Sequence, residues 1–164
     1  PISSWIKFSW HIEIRPLRLI ICMDKIVCSG ALFYTISTQR FLLMYRKNGK
    51  RSNQWGIVGG TNEGVESPWE GLQREISEEI GFIPETKKII PLETFISNNG
   101  KFEFHTYVCI IDNEFMPQLN DEHNGYAWVS FDNWPKPLHQ GLRNTLSSRI
   151  NRGKLETIFD IFKM

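Results

Sequence analysis

The sequence predicts an α/β fold built on a mixed β-sheet, and three observations lead there. Stretches rich in apolar and β-branched residues at 25–36, 40–47, 55–60, 89–97, 101–111 and 125–131 read as strands and dominate the centre of the chain. A well-punctuated helix follows the third of these, over 67–80. Two further helical patterns, at 139–150 and 154–162, close the chain after the last strand. Helices that follow strands at two places indicate a mixed α/β sandwich.

The bulk numbers agree with one such domain. A chain of 164 residues, 41% hydrophobic and 13% aromatic, is long enough for a core without staples. A net charge of +1 gives no global electrostatic reason to expect nucleic acid or a membrane as partner. Cys22, Cys28 and Cys109 are odd in number and lack C-x-x-C spacing, which argues against a disulfide framework and a zinc site and predicts a cytoplasmic protein. No apolar run approaches the ~20 residues that span a bilayer. The first 22 residues do not begin with Met, and Glu13, Arg15 and Pro16 interrupt their apolar runs. They read as an N-terminal extension of doubtful role, 1–22, ahead of a working domain at 23–164; a genuine N-terminal strand is the alternative.

Each element has its local reason. "KIVCSGALFYTI" and "RFLLMYRK" are two strands across a polar turn at Ser37 to Gln39. "NGKRSNQ" carries loop chemistry, and "WGIVGG" reads as one short buried strand ending on two glycines. The helix begins with Ser67 as N-cap, Pro68 at the first position and Glu70 completing a capping box. Gly81 stops it, and Trp69, Leu72, Ile76 and Ile80 form one core-facing stripe. "IIPLETFIS" and "KFEFHTYVCII" flank "NNG", a strong hairpin signal. "GYAWVSF" is the last strand.

The helix is also where the chemistry concentrates. Glu75, Glu78 and Glu79 fall within about a third of its circumference, beside the apolar stripe, where water is partly excluded and like charges repel more strongly. Such hard oxygen donors suit Mg²⁺ or Mn²⁺, and the Gly59–Gly60 pair lets backbone come close to the same place.

Over residues 60–82 the sequence resembles the Nudix hydrolase signature, G-x5-E-x7-R-E-U-x-E-E-x-G-U, through Gly60, Glu66, Arg74, Glu75, Ile76, Glu78, Glu79 and Gly81. Phe82 departs at the final aliphatic position, and Val58 stands where many relatives carry proline. The resemblance extends from about Cys28 to "GYAWVSFDNWPKPLHQGL" and implies a Nudix-type α/β/α sandwich. It also implies that Glu75, Glu78 and Glu79 are ligands of a catalytic Mg²⁺ (or Mn²⁺), with the Gly59 carbonyl completing the shell. Arg74 and Glu66 resemble the pair that orients the helix. Glu122, in "NDEHNGYAW", is the candidate downstream acid, as ligand or base; which Glu is the base stays open.

The implied reaction is divalent-metal-dependent hydrolysis of the diphosphate linkage in a nucleoside diphosphate derivative. The alternative is a catalytically silent nucleotide sensor on the same fold. The expected partner is a nucleotide-type small molecule, with nucleic acid only as a capped RNA end and no membrane. Arg46, Lys50 and Arg51 of the loop "RKNGKR" are the candidate contacts to substrate phosphate. His105 and His123 read as structural or rim residues, since neither has a partner at ligand spacing, and Trp55 and Trp69 read as core.

Overall fold

In a computed structural model of the chain, residues 25–47 and 52–163 are described. The expectations placed on 1–22 and on Lys50 and Arg51 lie outside the described residues. The described chain forms β1 (Ile26–Thr35), β2 (Arg40–Arg46), β3 (Trp55–Gly56), β4 (Val58–Thr61), α1 (Pro68–Ile80), β5 (Lys88–Ile96), β6 (Phe102–Ile111), β7 (His123–Ser130), α2 (Gln140–Ser147) and α3 (Arg149–Phe162). The strands make one seven-stranded mixed sheet in the order β3-β2-β1-β6-β5, with β4 paired to β1 and β7 to β2. β1 and β6 run parallel from Ile26↔Phe102 to Thr35↔Ile111, and the other pairings are antiparallel.

Both faces of the sheet are covered, which is why its central strands read as continuous apolar runs. Ala31, Phe33, Leu42 and Met44 pack with Leu72, Ile76 and Ile80 of α1. Leu32, Tyr34, Phe41 and Leu43, the alternate positions, pack with Leu142 of α2 and Leu155, Ile158 and Phe159 of α3. The result is the α/β/α sandwich. Trp69 and Trp55 are partly buried, one on each face.

The helix α1 has the punctuation read from its sequence. Ser67 accepts from the Glu70 N–H, the Glu70 side chain returns the bond, and Gly81 ends the helix in the left-handed region at φ 82. Leu72, Ile76 and Ile80 are fully buried, each worth roughly 1.5–3 kcal/mol of transfer free energy. The hairpin β5–β6 turns at "NNG", with Gly100 at φ 68.

Three boundaries differ from expectation. The single strand expected over 55–60 is two, because Trp55 and Gly56 pair with β2 whereas Val58 to Thr61 pair with β1. Ile57 carries the chain from one partner to the other. The strand β7 begins at His123, earlier than Gly125, because a register shift after Tyr45 lets Arg46 pair with His123. The closing helices meet at Ser148, which caps α2 and whose side chain accepts from the Asn151 N–H to start α3, so α3 begins at Arg149 and not at Lys154. No helix among the described residues is long and apolar enough to cross a membrane.

Candidate active site

The site is assembled where β1 exchanges one neighbour for another. Along one edge, β1 meets β2 at Tyr34↔Phe41 and then β4 over Cys28 to Ala31. Close approach of β4 requires glycine at position 59, where φ is +143 and a Cβ would lie 2.1 Å from the Ser29 carbonyl oxygen. A Cβ on Gly60 would lie 2.5 Å from the Glu75 carboxylate. The glycine pair therefore does two things: it seats β4 on β1, and it leaves room for a helix carboxylate against bare backbone.

Burial sorts the three helix glutamates. Glu79 is 2% exposed, and its Oε2 accepts from the Gly59 N–H at 2.9 Å. Glu75 is largely buried against Gly60, and its Oε1 accepts from Arg74 Nη1 at 2.9 Å. Glu78 is half exposed and reaches the same nitrogen at 3.3 Å. Arg74 also grips Glu66 through Nε at 3.0 Å and Nη2 at 3.2 Å, and donates to the Thr61 carbonyl at 2.9 Å. One guanidinium thus ties the 61–66 loop to the helix, in the fork geometry that suits arginine.

The electrostatics follow from that burial. Desolvation lifts the Glu79 carboxyl to about 8, with the neighbouring Glu75 and Glu122 adding to the rise and the Gly59 N–H and Arg46 opposing it. Desolvation also raises Glu75, against the pull of Arg74. The Arg74 hydrogen bonds hold Glu66 below the ordinary carboxylate range and raise Arg74 itself. Burial, then the charge of Arg46, pushes the His123 imidazole down to about 4. Carboxylates crowded where water is scarce are the chemistry a hard divalent cation satisfies, so the donor set fits one. Glu75, Glu79 and the Gly59 carbonyl would hold it. Among the described residues no three acidic, His or Cys side chains already form a ligand cluster; Arg74 engages Glu75, and the Gly59 N–H engages Glu79.

Glu75, Glu79, Gly59 and Gly60 line a cavity of about 910 Å³ together with Arg46 and Glu122. Glu122 arrives from the segment before β7, with Arg46 Nη2 at 3.8 Å from its Oε2. Glu78 is not among the lining residues. The same cavity is lined by Phe95, Phe102 and Phe104 of the β5–β6 hairpin. Phe95 and Phe104 are cross-strand partners, and the Phe104 ring lies over Gly30, where an added Cβ would be 2.9 Å from its Cζ. These three rings were not singled out in the sequence, although alternate aromatics in "FEFH" place Phe102 and Phe104 on one face of a strand.

His105 and His123 part company. His105 stands on β6, its ring bonded to Thr94 and Glu103. His123 is 5% exposed, with Nε2 at 3.8 Å from Glu79 Oε1. No spacing in the sequence signals that approach, because it depends on the register of β7 against β2.

A family model described as the NUDIX domain matches residues 27–148. Among solved structures, the chain is similar to a MutT NUDIX hydrolase from Burkholderia pseudomallei, with 25% identity over 74% of this chain and 95% of that one and a TM-score of 0.59. It shares its fold with the NUDIX domain of Shewanella oneidensis NrtR, solved with ADP ribose, at 19% identity over 80% of this chain and 89% of that one and a TM-score of 0.64. An Ap4A hydrolase from C. elegans also shares the fold, at 18% identity over 80% and 97% and a TM-score of 0.61. Among curated proteins, none matches the sequence.

Proposed function

The chain belongs to the NUDIX domain family and is a hydrolase of phosphoric anhydrides, and from that premise we propose that it cleaves the diphosphate linkage of a nucleoside diphosphate derivative with the help of a divalent cation. One observation carries the reading: a single cavity of about 910 Å³ is lined by Glu75, Glu79 and Glu122 and also by three phenylalanine rings. Carboxylates suit the cation and diphosphate chemistry, and flat rings suit a nucleobase, which stacks on aromatic side chains at about 1–3 kcal/mol per base.

A divalent cation in this site supplies positive charge to the diphosphate oxygens and lowers the pKa of water. The residues of the chain do the rest. Glu75, Glu79 and the Gly59 carbonyl would hold the cation. Glu122 has a side chain 61% exposed, and it is the carboxylate left with the capacity to take a proton from the attacking water. Arg46 lines the same wall and meets the substrate phosphate as a charge-assisted donor. Arg74 keeps Glu66 and Glu75 in place and stays out of the chemistry.

The test is chromatographic separation of the two phosphate-bearing products over a panel of ADP-ribose, dinucleoside polyphosphates, nucleoside triphosphates and capped RNA, with Mg²⁺, with Mn²⁺ and with EDTA. Cleavage of at least one member that EDTA abolishes is expected. Tight binding of a nucleotide with no cleavage of any member would replace the enzyme by a sensor.

A further inference from the structure

One buried atom at this site is left unexplained by the reaction. Among the described residues, His123 Nε2 is the buried side-chain nitrogen or oxygen without a hydrogen-bond partner. Buried polar groups are nearly always paired, so such an exception calls for a reason.

The surrounding hydrogen bonds settle which ring nitrogen carries the proton. The Glu122 N–H, which can only donate, points at Asn120 Oδ1 at 3.0 Å. That contact fixes the orientation of the Asn120 amide. The same Oδ1 lies 3.2 Å from His123 Nδ1, so Nδ1 carries the hydrogen and Nε2 of the neutral ring is a bare lone pair. That lone pair faces Glu79 Oε1 at 3.8 Å, while Glu79 Oε2 takes the Gly59 N–H at 2.9 Å.

We propose that His123 is a positioning residue that couples Glu79 to Glu122: its Nδ1 side anchors the segment bearing Glu122, and its Nε2 side presents an acceptor to Glu79 where any donor would neutralise it. The inference rests on the divalent-cation reading above. With the opposite tautomer, an Nε2–H would bond to Oε1 and draw off the negative charge that a cation needs. With the tautomer set by Asn120, Oε1 receives no donor from the ring, and once Glu79 is ionised two lone pairs confront each other across a gap that a positive charge relieves. Hydrogen-bonded partners behind a metal site orient its carboxylates, and their loss commonly lowers metal affinity ten- to a hundredfold; here that bond is the one from His123 Nδ1 to Asn120 Oδ1.

The experiment compares Mn²⁺ affinity, from the free-ion EPR signal, in the full-length protein and in His123→Phe and Asn120→Ala. Measurement at pH 9 keeps Glu79 ionised with or without metal, so the comparison reads positioning and not proton competition. His123→Phe keeps a ring of similar size and removes both ring nitrogens, the orphan Nε2 and the Nδ1 anchor. Mn²⁺ affinity should fall ten- to a hundredfold, whether or not loss of the anchor lowers the metal-free Tm. A merely structural histidine would leave the affinity unchanged. Asn120→Ala leaves the ring but frees its tautomer. Imidazole ¹⁵N shifts should report Nδ1–H in the wild type and a shift toward Nε2–H in the variant, with a parallel loss of affinity. If His123→Phe does not fold, Asn120→Ala decides alone. Wild-type affinity in the variants, or an Nε2–H tautomer in the wild type, overturns the proposal by itself. Absence of Mn²⁺ binding by the wild type overturns the cation reading and this inference together.

Discussion

Replacing Glu79 by glutamine should make the metal-free protein more stable while destroying its activity. Glu79 is buried and its carboxyl is lifted to about 8 from an ordinary 4.5, so full ionisation of the native state is opposed by roughly 4–5 kcal/mol. At pH 7 the unfolded chain gains by ionising this group and the native chain does not, which shifts the balance toward unfolding by about 3 kcal/mol. Glutamine ionises in neither state and removes that penalty. Its carbonyl can still accept the Gly59 N–H, now at 2.9 Å from Oε2, and its amide can donate toward His123 Nε2, now at 3.8 Å from Oε1. Glu79→Gln should therefore be more stable by about 1–3 kcal/mol in EDTA at pH 7, which for a chain of this length is a Tm increase of several degrees. Its kcat with Mg²⁺ should fall by about three orders of magnitude or more, equivalent to about 4 kcal/mol of transition-state stabilisation. Urea and thermal unfolding with and without EDTA, beside chromatographic product formation, measure both. A variant less stable than wild type without metal would refute the burial argument, and near-normal turnover at saturating Mg²⁺ would refute the role.

Two further outcomes follow from the same geometry. In EDTA the stability should fall by about 1 kcal/mol between pH 6.5 and 8. Glu79, raised to about 8, keeps its proton in the native state while the unfolded chain has lost it, and His123, lowered to about 4, opposes this only weakly, until the unfolded histidine has lost its proton above about 7.5. Saturating Mn²⁺ should abolish the decline, and a flat metal-free profile in urea titrations would count against the raised carboxyl. Phe104→Ala should raise KM about tenfold or more for a base-bearing substrate, because a stacked base is worth about 1–3 kcal/mol, with a smaller effect on kcat. An unchanged KM would remove the ring from the substrate's path.

What the sequence determined by itself was whatever interactions within one turn or one hairpin decide. The capping box of Ser67 and Glu70, the αL stop at Gly81 and the stripe of Leu72, Ile76 and Ile80 are all local. So is the hairpin at "NNG", and so is the set of carboxylates that shares one helix face. The tertiary structure decided the rest, because it depends on which distant segments come into register. The parallel pairing of β1 with β6 brings Phe104 over Gly30. The step at Ile57 moves the chain from β2 to β1 and sets Gly59 under Glu79. The same packing parts Glu75 and Glu79, which line the cavity, from Glu78, which faces solvent beside Arg74. The register of β7 on β2 brings Glu122 to that cavity and His123 against Glu79. A period of 3.6 residues can place three glutamates on one face of a helix, but only the packing of that helix against the sheet decides which of them lose water, and loss of water is what gives the survivors their unusual proton affinity.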